Sequence, residues 1–456
     1  MSDTSTVVDA GAEDRELVAE DRRLLIHPYL PTSTADRVVM VEGDGCWLTD
    51  ARGRRYLDAT GGLWLAQVGH GRRELAEVAA AQMNKLEYFT SFWEFSNDRA
   101  IELARRLVSI SPASVDHVYF TSGGSEGNEA AIKMARYFHH RRGDTGRSWI
   151  LSREKAYHGA AYGGGSATGF EIYHDGFGPM MPNVHHLTPP WPYRTELFGG
   201  EDPTDFCIAE LERVLAELGP ERVAAMIGEP IMGVGGMLVP PDDYWPRVSE
   251  LLREHGILLI LDEVVTAYGR VGTWFAAQHF DVSPDIIVSA KGITSGYMQL
   301  GAVLVSPEIA EVLGRDIGFP MGYTYNGHPT ACAVALANLA IIEREGLLDA
   351  ARQTGAYLRD ALQSALGSMP IVGEVRGAGM MLAVELVSDR ETREPLPNAV
   401  ELERMIMKET GVIVRNCAHN IVLSPPLTMS RDEADQVVGA IAQVLEQIDP
   451  SGPLAA

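Results

Sequence analysis

The sequence predicts an α/β protein: a large domain built on a mostly parallel central sheet, with a smaller α+β domain formed by the two ends of the chain. Three observations carry this expectation. Residues 223–228, 257–261 and, between Asp285 and Ser289, 286–288 are continuous apolar runs rather than alternating ones, the pattern of strands buried on both faces. A helix-like stretch over 243–255 separates the first two, which suggests repeated βαβ units. Each run also ends in a polar residue: Glu229, Asp262 and Lys291. Parallel sheets bind ligands beyond the carboxyl ends of their strands, so these three residues converge on the edge where chemistry is expected.

The elements follow in chain order. Residues 1–14 are expected as a disordered tail, and 15–68 as the N-terminal part of the smaller domain. Within that part, 38–50 read as a hairpin turning at Gly43-Asp44-Gly45. The large domain spans 69–329. Inside it, the short apolar strand Val118-Tyr119-Phe120 runs into Thr121-Ser122-Gly123-Gly124-Ser125. A helical pattern then begins at Ala130, Ala131, Met134 and Ala135. Residues 179–200, rich in proline and aromatics, are expected as an irregular loop. The C-terminal part, 330–456, opens with an alanine-rich helical pattern, continues through a strand at 381–386 and closes with a helix over 431–448. No internal repeat is visible.

Composition narrows the function. With 456 residues, the chain suits two domains rather than one small core. Its 62 acidic against 38 basic residues leave a formal charge of −24, which disfavours nucleic acid and anionic membranes as partners. Cys46, Cys207, Cys332 and Cys417 show no paired metal spacing and no disulfide pattern. Residues 1–23 lack the apolar stretch of a secretory signal, and a cytoplasmic location is the expectation. His139-His140 and His185-His186 have no acidic or cysteine partners at ligand spacing, so no metal is expected. Arg136, Arg141 and Arg142 read as a solvated helix end.

Lys291 is the most telling residue. A lysine at the end of a buried strand is desolvated, which favours the neutral, nucleophilic amine that condenses with aldehydes. The glycine-serine turn at 122–127 offers backbone N–H groups at a helix start, a cradle for phosphate. Its spacing matches neither the dinucleotide nor the nucleoside triphosphate fingerprint. An aldehyde-seeking lysine, a phosphate turn and a carboxylate together match pyridoxal phosphate (PLP), with Asp262 as the partner of its ring nitrogen.

Several separated segments also resemble the class III, or ω-type, aminotransferases. They are Ser122-Gly123-Gly124-Ser125-Glu126, Tyr157-His158-Gly159, Gly228-Glu229-Pro230, Leu261-Asp262-Glu263-Val264 with Gly269-Arg270-Val271-Gly272, Ser289-Ala290-Lys291-Gly292, and Tyr323-Thr324-Tyr325-Asn326-Gly327-His328-Pro329. The resemblance runs from about Leu30 to about Val444 and implies a fold-type I PLP enzyme. It implies that Lys291 bonds the cofactor aldehyde, that Asp262 pairs with the ring nitrogen, and that Tyr157 and Val264 flank the ring. Gly124 and Ser125 would bind the phosphate, and Glu229 would support the surroundings. Thr324 would reach the phosphate of a neighbouring subunit, making a homodimer with shared active sites.

The resemblance further implies an amine and a keto acid as substrates. Arg415 matches an arginine that swings in to hold a carboxylate, a task its planar fork suits. Trp64, Phe92, Tyr157 and Val234 match positions lining the amine pocket, and three of the four are aromatic, which favours a hydrophobic amine. Two departures stand out: the turn carries an additional glycine, and Gln299 stands where proline is expected. The leading expectation is transfer of an amino group from an amine or ω-amino acid to pyruvate or a similar keto acid. A decarboxylase or aminomutase of the same fold is the alternative, and a non-catalytic relative a more distant one.

Overall fold

The computed structural model describes residues 10–31, 34 and 37–448. Most of the tail expected over 1–14 lies outside them, and a helix already begins at Ala10 (Ala10–Leu24). Strands β1 (Met40–Asp44), β2 (Trp47–Asp50) and β3 (Arg55–Asp58) form an antiparallel meander, with the first hairpin turning at Gly45, whose φ is +56°. The central sheet comprises β4 (His117–Thr121), β5 (Trp149–Arg153), β6 (Val184–Leu187), β7 (Val223–Gly228), β8 (Leu258–Asp262), β9 (Ile286–Ser289) and β10 (Gly301–Val305). Their spatial order is β4-β10-β9-β8-β7-β5-β6. Only β10 runs antiparallel to its neighbours. A third sheet holds β11 (Val372–Ala378), β12 (Met381–Leu386), β14 (Arg415–Cys417) and β15 (Asn420–Leu423), while β13 (Val412–Ile413) pairs in parallel with β3. The two ends of the chain therefore share a sheet.

The three apolar runs become β7, β8 and β9, and every residue of these strands is buried. Helices cover both faces, which is why no polar face alternates in the sequence. The helix Tyr244–Glu254 links β7 to β8 as expected, packing Trp245, Val248 and Leu252 inward. One expected loop contains regular structure: β6 lies within 179–200, paired with β5 through Ile150–Val184 and Arg153–Leu187. It is an edge strand of mostly half-buried residues, so neither alternation nor an apolar run announces it. The alanine-rich stretch is two helices, Pro329–Arg344 and Leu347–Leu366, broken at Gly346 with φ +63°. No helix among the described residues is long and apolar enough to cross a membrane.

Candidate active site

Strand register brings the polar strand ends together. Gly228 lies beside Leu261, and Asp262 beside Val288, so Glu229, Asp262 and Lys291 leave the sheet at one edge. They face a cavity of about 280 Å³. Gly124, Ser125, Tyr157 and Val264 line the same cavity, as do Trp64, Val234 and Arg415.

Lys291 adopts φ +48°, in the left-handed region. For a residue with a Cβ this conformation costs about 1–3 kcal/mol and persists only where the surroundings enforce it. Its Nζ stands 5.3 Å from the centre of the Trp64 ring. Among the described residues no hydrogen-bond or ion-pair partner engages it. Burial pushes the amine down from 10.5 to about 8; Asp262 and Glu229 oppose the shift, and the Arg270 cation adds to it. In the cofactor-free protein Lys291 should therefore take up an acetylating reagent with a midpoint near pH 8, followed residue by residue by mass spectrometry. A midpoint near 10.5 would contradict this environment. Between the two values the unfolded chain holds a proton that the fold has released, so this group's contribution to stability rises with pH across that window.

Asp262 is 4% exposed and fully engaged. Its Oδ2 accepts from His158 Nδ1 at 2.8 Å and Asn128 Nδ2 at 2.7 Å, and its Oδ1 from the Val264 N–H at 3.1 Å. Donors on three sides hold the carboxylate in one orientation. Glu229 has a different task. Its two oxygens accept the N–H groups of Tyr157 at 3.0 Å and Gly233 at 2.8 Å, tying the Tyr157 loop to the end of β7. Burial raises its pKa, against the pull of His158 and the two backbone donors. Neighbouring Glu263 is raised to about 7 by burial. It accepts from Thr266 and from the amides of Ala276 and Ala277, so its role is to fix the following segment.

The helix Gly124–Arg141 starts at the cavity without a side-chain cap, leaving amides of its first turn available for an anion. A Cβ on Gly124 would lie 2.8 Å from a Val264 methyl; only glycine lets the helix start approach that wall. Ser125 Oγ accepts the Ala160 N–H at 3.2 Å. Gly159, with φ +101°, passes so close that a Cβ there would meet Ser125 Oγ at 2.6 Å. Tyr157 packs against Tyr173 with ring centres 5.2 Å apart, and Tyr29 meets Tyr173 edge-on at 6.1 Å. The cavity wall is thus more aromatic than the sequence suggested.

Two expected site residues stand elsewhere in the single chain. Phe92 lines a surface groove with Trp93 and Phe319, and Thr324 is exposed, its carbonyl accepting from Tyr88 OH at 2.7 Å. Gln299 is exposed and does not line the Lys291 cavity. Of the paired histidines, His139 is buried with Nε2 3.0 Å from the Ala224 carbonyl oxygen. Arg141 and Arg142 pair with Asp316 and Glu308, whereas Arg136 donates to the Ser148 carbonyl at 2.9 Å. Sequence reasoning missed Asn128, His158, Tyr29 and Tyr173. Two signals were available: His158 follows Tyr157 directly, and Asn128 lies one helical turn beyond Gly124, on the same face.

The chemistry of this donor set fits PLP. An uncapped helix start suits its phosphate, the wall that includes Tyr157 and Val264 suits its ring, the held Asp262 carboxylate suits its ring nitrogen, and the Lys291 amine, without a partner among the described residues, suits its aldehyde. Comparison with known proteins agrees. Residues 30–445 match the family model for aminotransferase class III. The chain is 36% identical to the putrescine–pyruvate aminotransferase of Pseudomonas aeruginosa over 453 residues, covering 97% of this chain and 98% of that protein. An (S)-enantioselective ω-transaminase from Thermomicrobium roseum superposes with a TM-score of 0.91 at 47% identity, covering 95% of this chain and 98% of that one. A PLP-bound amine transaminase from an uncultivated Pseudomonas species superposes at 0.89 with 42% identity, covering 93% and 98%. The chain belongs to the class III aminotransferases, a PLP-dependent family of fold type I.

Proposed function

We propose that this enzyme moves an amino group from a hydrophobic amine or ω-amino acid to pyruvate or a similar keto acid, with PLP held on Lys291. The observation that carries the reading is the pairing of an unpartnered, pKa-lowered amine with a rigidly held carboxylate in one aromatic cavity. When bound, PLP supplies an aldehyde that bonds the amine and a ring that accepts electrons from the adjoining carbon. Lys291 Nζ would hold the proton taken from the amine-bearing carbon and give it back as the transfer completes, work suited to a group poised near pH 8. Asp262 would hold positive charge at the ring nitrogen, and Glu229, through the Tyr157 N–H, would keep the Tyr157 loop at the wall of the cavity that receives the ring. Both carboxylates that line the cavity already have donors. Among the described residues a second ammonium of a diamine finds no unengaged acid there, which favours an aromatic or aliphatic monoamine.

Absorbance of the PLP-loaded enzyme tests this. Adding 1-phenylethylamine should bleach the carbonyl form, and pyruvate should restore it, with putrescine reacting more slowly. Continuous product formation with no keto acid present would point instead to a decarboxylase or aminomutase.

The reading includes a homodimer. Trp93 and Ile101, 83% and 53% exposed, line the groove that holds Phe92, and a second copy of the chain would cover them. Phe92 and Thr324 then serve the partner's cavity. Sedimentation should show a dimer whose dissociation releases cofactor; a fully active monomer would exclude shared sites.

A further inference from the structure

Arg415 is not loose at the cavity rim. It opens β14, and its Nη1 lies 3.4 Å from Oε1 of Glu403, in the first turn of the helix Val400–Thr410. The other oxygen of Glu403 accepts the Asn416 N–H at 2.8 Å, while Asn416 Nδ2 donates to the Ala399 carbonyl at 3.1 Å. One carboxylate oxygen is thus fixed to the strand that carries Arg415, and the second is left to engage the guanidinium. We propose that Glu403 is the latch that keeps Arg415 at the rim, so that it sets how readily the pocket changes between carboxylate-free and carboxylate-bearing substrates. The latch rests on the function proposed above, in which Arg415 receives the keto acid.

The geometry suits a releasable hold. The contact is single and long, and the side chains of Arg415 and Glu403 are 44% and 28% exposed, so solvent screens the pair and it binds weakly. A keto acid inside the cavity offers a two-oxygen carboxylate in a drier setting, where a bidentate pair is stronger. The incoming acid therefore displaces Glu403. An uncharged amine offers nothing to the guanidinium, and Arg415 stays latched, sparing that substrate a cation in an aromatic pocket. Glu229 and Asp262 line the cavity too, but each is held by its own donors, leaving Glu403 as the competitor for Arg415.

Single-turnover rates of the two half reactions in Glu403→Gln, Arg415→Ala and the double variant test the latch. The glutamine oxygen still accepts the Asn416 N–H, so the strand is kept while the charge is lost. Glu403→Gln should lower the pyruvate concentration giving half-maximal rate by about two- to five-fold, the scale of an exposed ion pair. It should also slow the half reaction with 1-phenylethylamine by a similar factor, and both effects should vanish in the Arg415→Ala background. If Arg415→Ala weakens pyruvate but Glu403→Gln changes neither half reaction, the latch is wrong and the proposed function stands. If Glu403→Gln helps pyruvate equally without Arg415, Glu403 acts by simple repulsion and the latch is again wrong. If Arg415→Ala leaves pyruvate unaffected, the carboxylate role of Arg415 fails and the latch with it.

Discussion

Lys291→Met is expected to lower turnover by at least about 10⁴-fold, because one side chain supplies both the cofactor attachment and the proton transfer. The same change should leave the cofactor-free protein at least as resistant to heat. Burial disfavours the Lys291 ammonium strongly enough to bring it to about 8, and methionine of similar length removes that charge from the fold. Its sulfur can rest against Trp64, which the amine now faces at 5.3 Å. Turnover and thermal unfolding of the same preparation separate the possibilities. Loss of both would make Lys291 a structural residue, and retention of turnover would remove it from the reaction.

Asp262→Asn should retain cofactor yet lose about 10²–10³ in turnover, the range for removing one preorganised electrostatic contact. An amide is nearly the shape of the carboxylate, so His158 and Asn128, both now aimed at Oδ2, keep an oxygen to donate to. The charge that holds a proton at the ring nitrogen is gone. The loss should appear in both half reactions equally, because both use the same ring. Near-wild-type turnover would reduce Asp262 to a scaffold for His158 and Asn128.

How far the sequence disclosed this arrangement depended on burial. Strands β7, β8 and β9 were legible because both faces are covered and their positions are apolar almost to the functional residue, Ser289 at the end of β9 being the exception. Strand β5 was not, since Ser152 and Arg153 occupy it and are also buried: Arg153 lies over the Trp245 ring at 4.8 Å and donates to the Glu229 carbonyl. Lys291 and Asp262 were marked by position, as polar groups closing apolar runs. His158 and Asn128 carried no such mark, because the contacts that define them span 104 and 134 residues of chain. Tyr29 and Tyr173 reach the cavity from segments without periodicity. Resemblance, rather than residue chemistry, nominated Phe92 and Thr324, and one copy of the chain does not bring them to Lys291.

The central claim is that this cavity carries PLP on Lys291, and the most direct measurement is chemical. The purified protein, reconstituted with PLP, is reduced with borohydride, digested and mapped by mass spectrometry. The adduct should fall on Lys291 alone, in the peptide containing Ser289-Ala290-Lys291-Gly292, and pretreatment with an amine donor should prevent it. A label on another lysine, or none after reconstitution, would contradict the account.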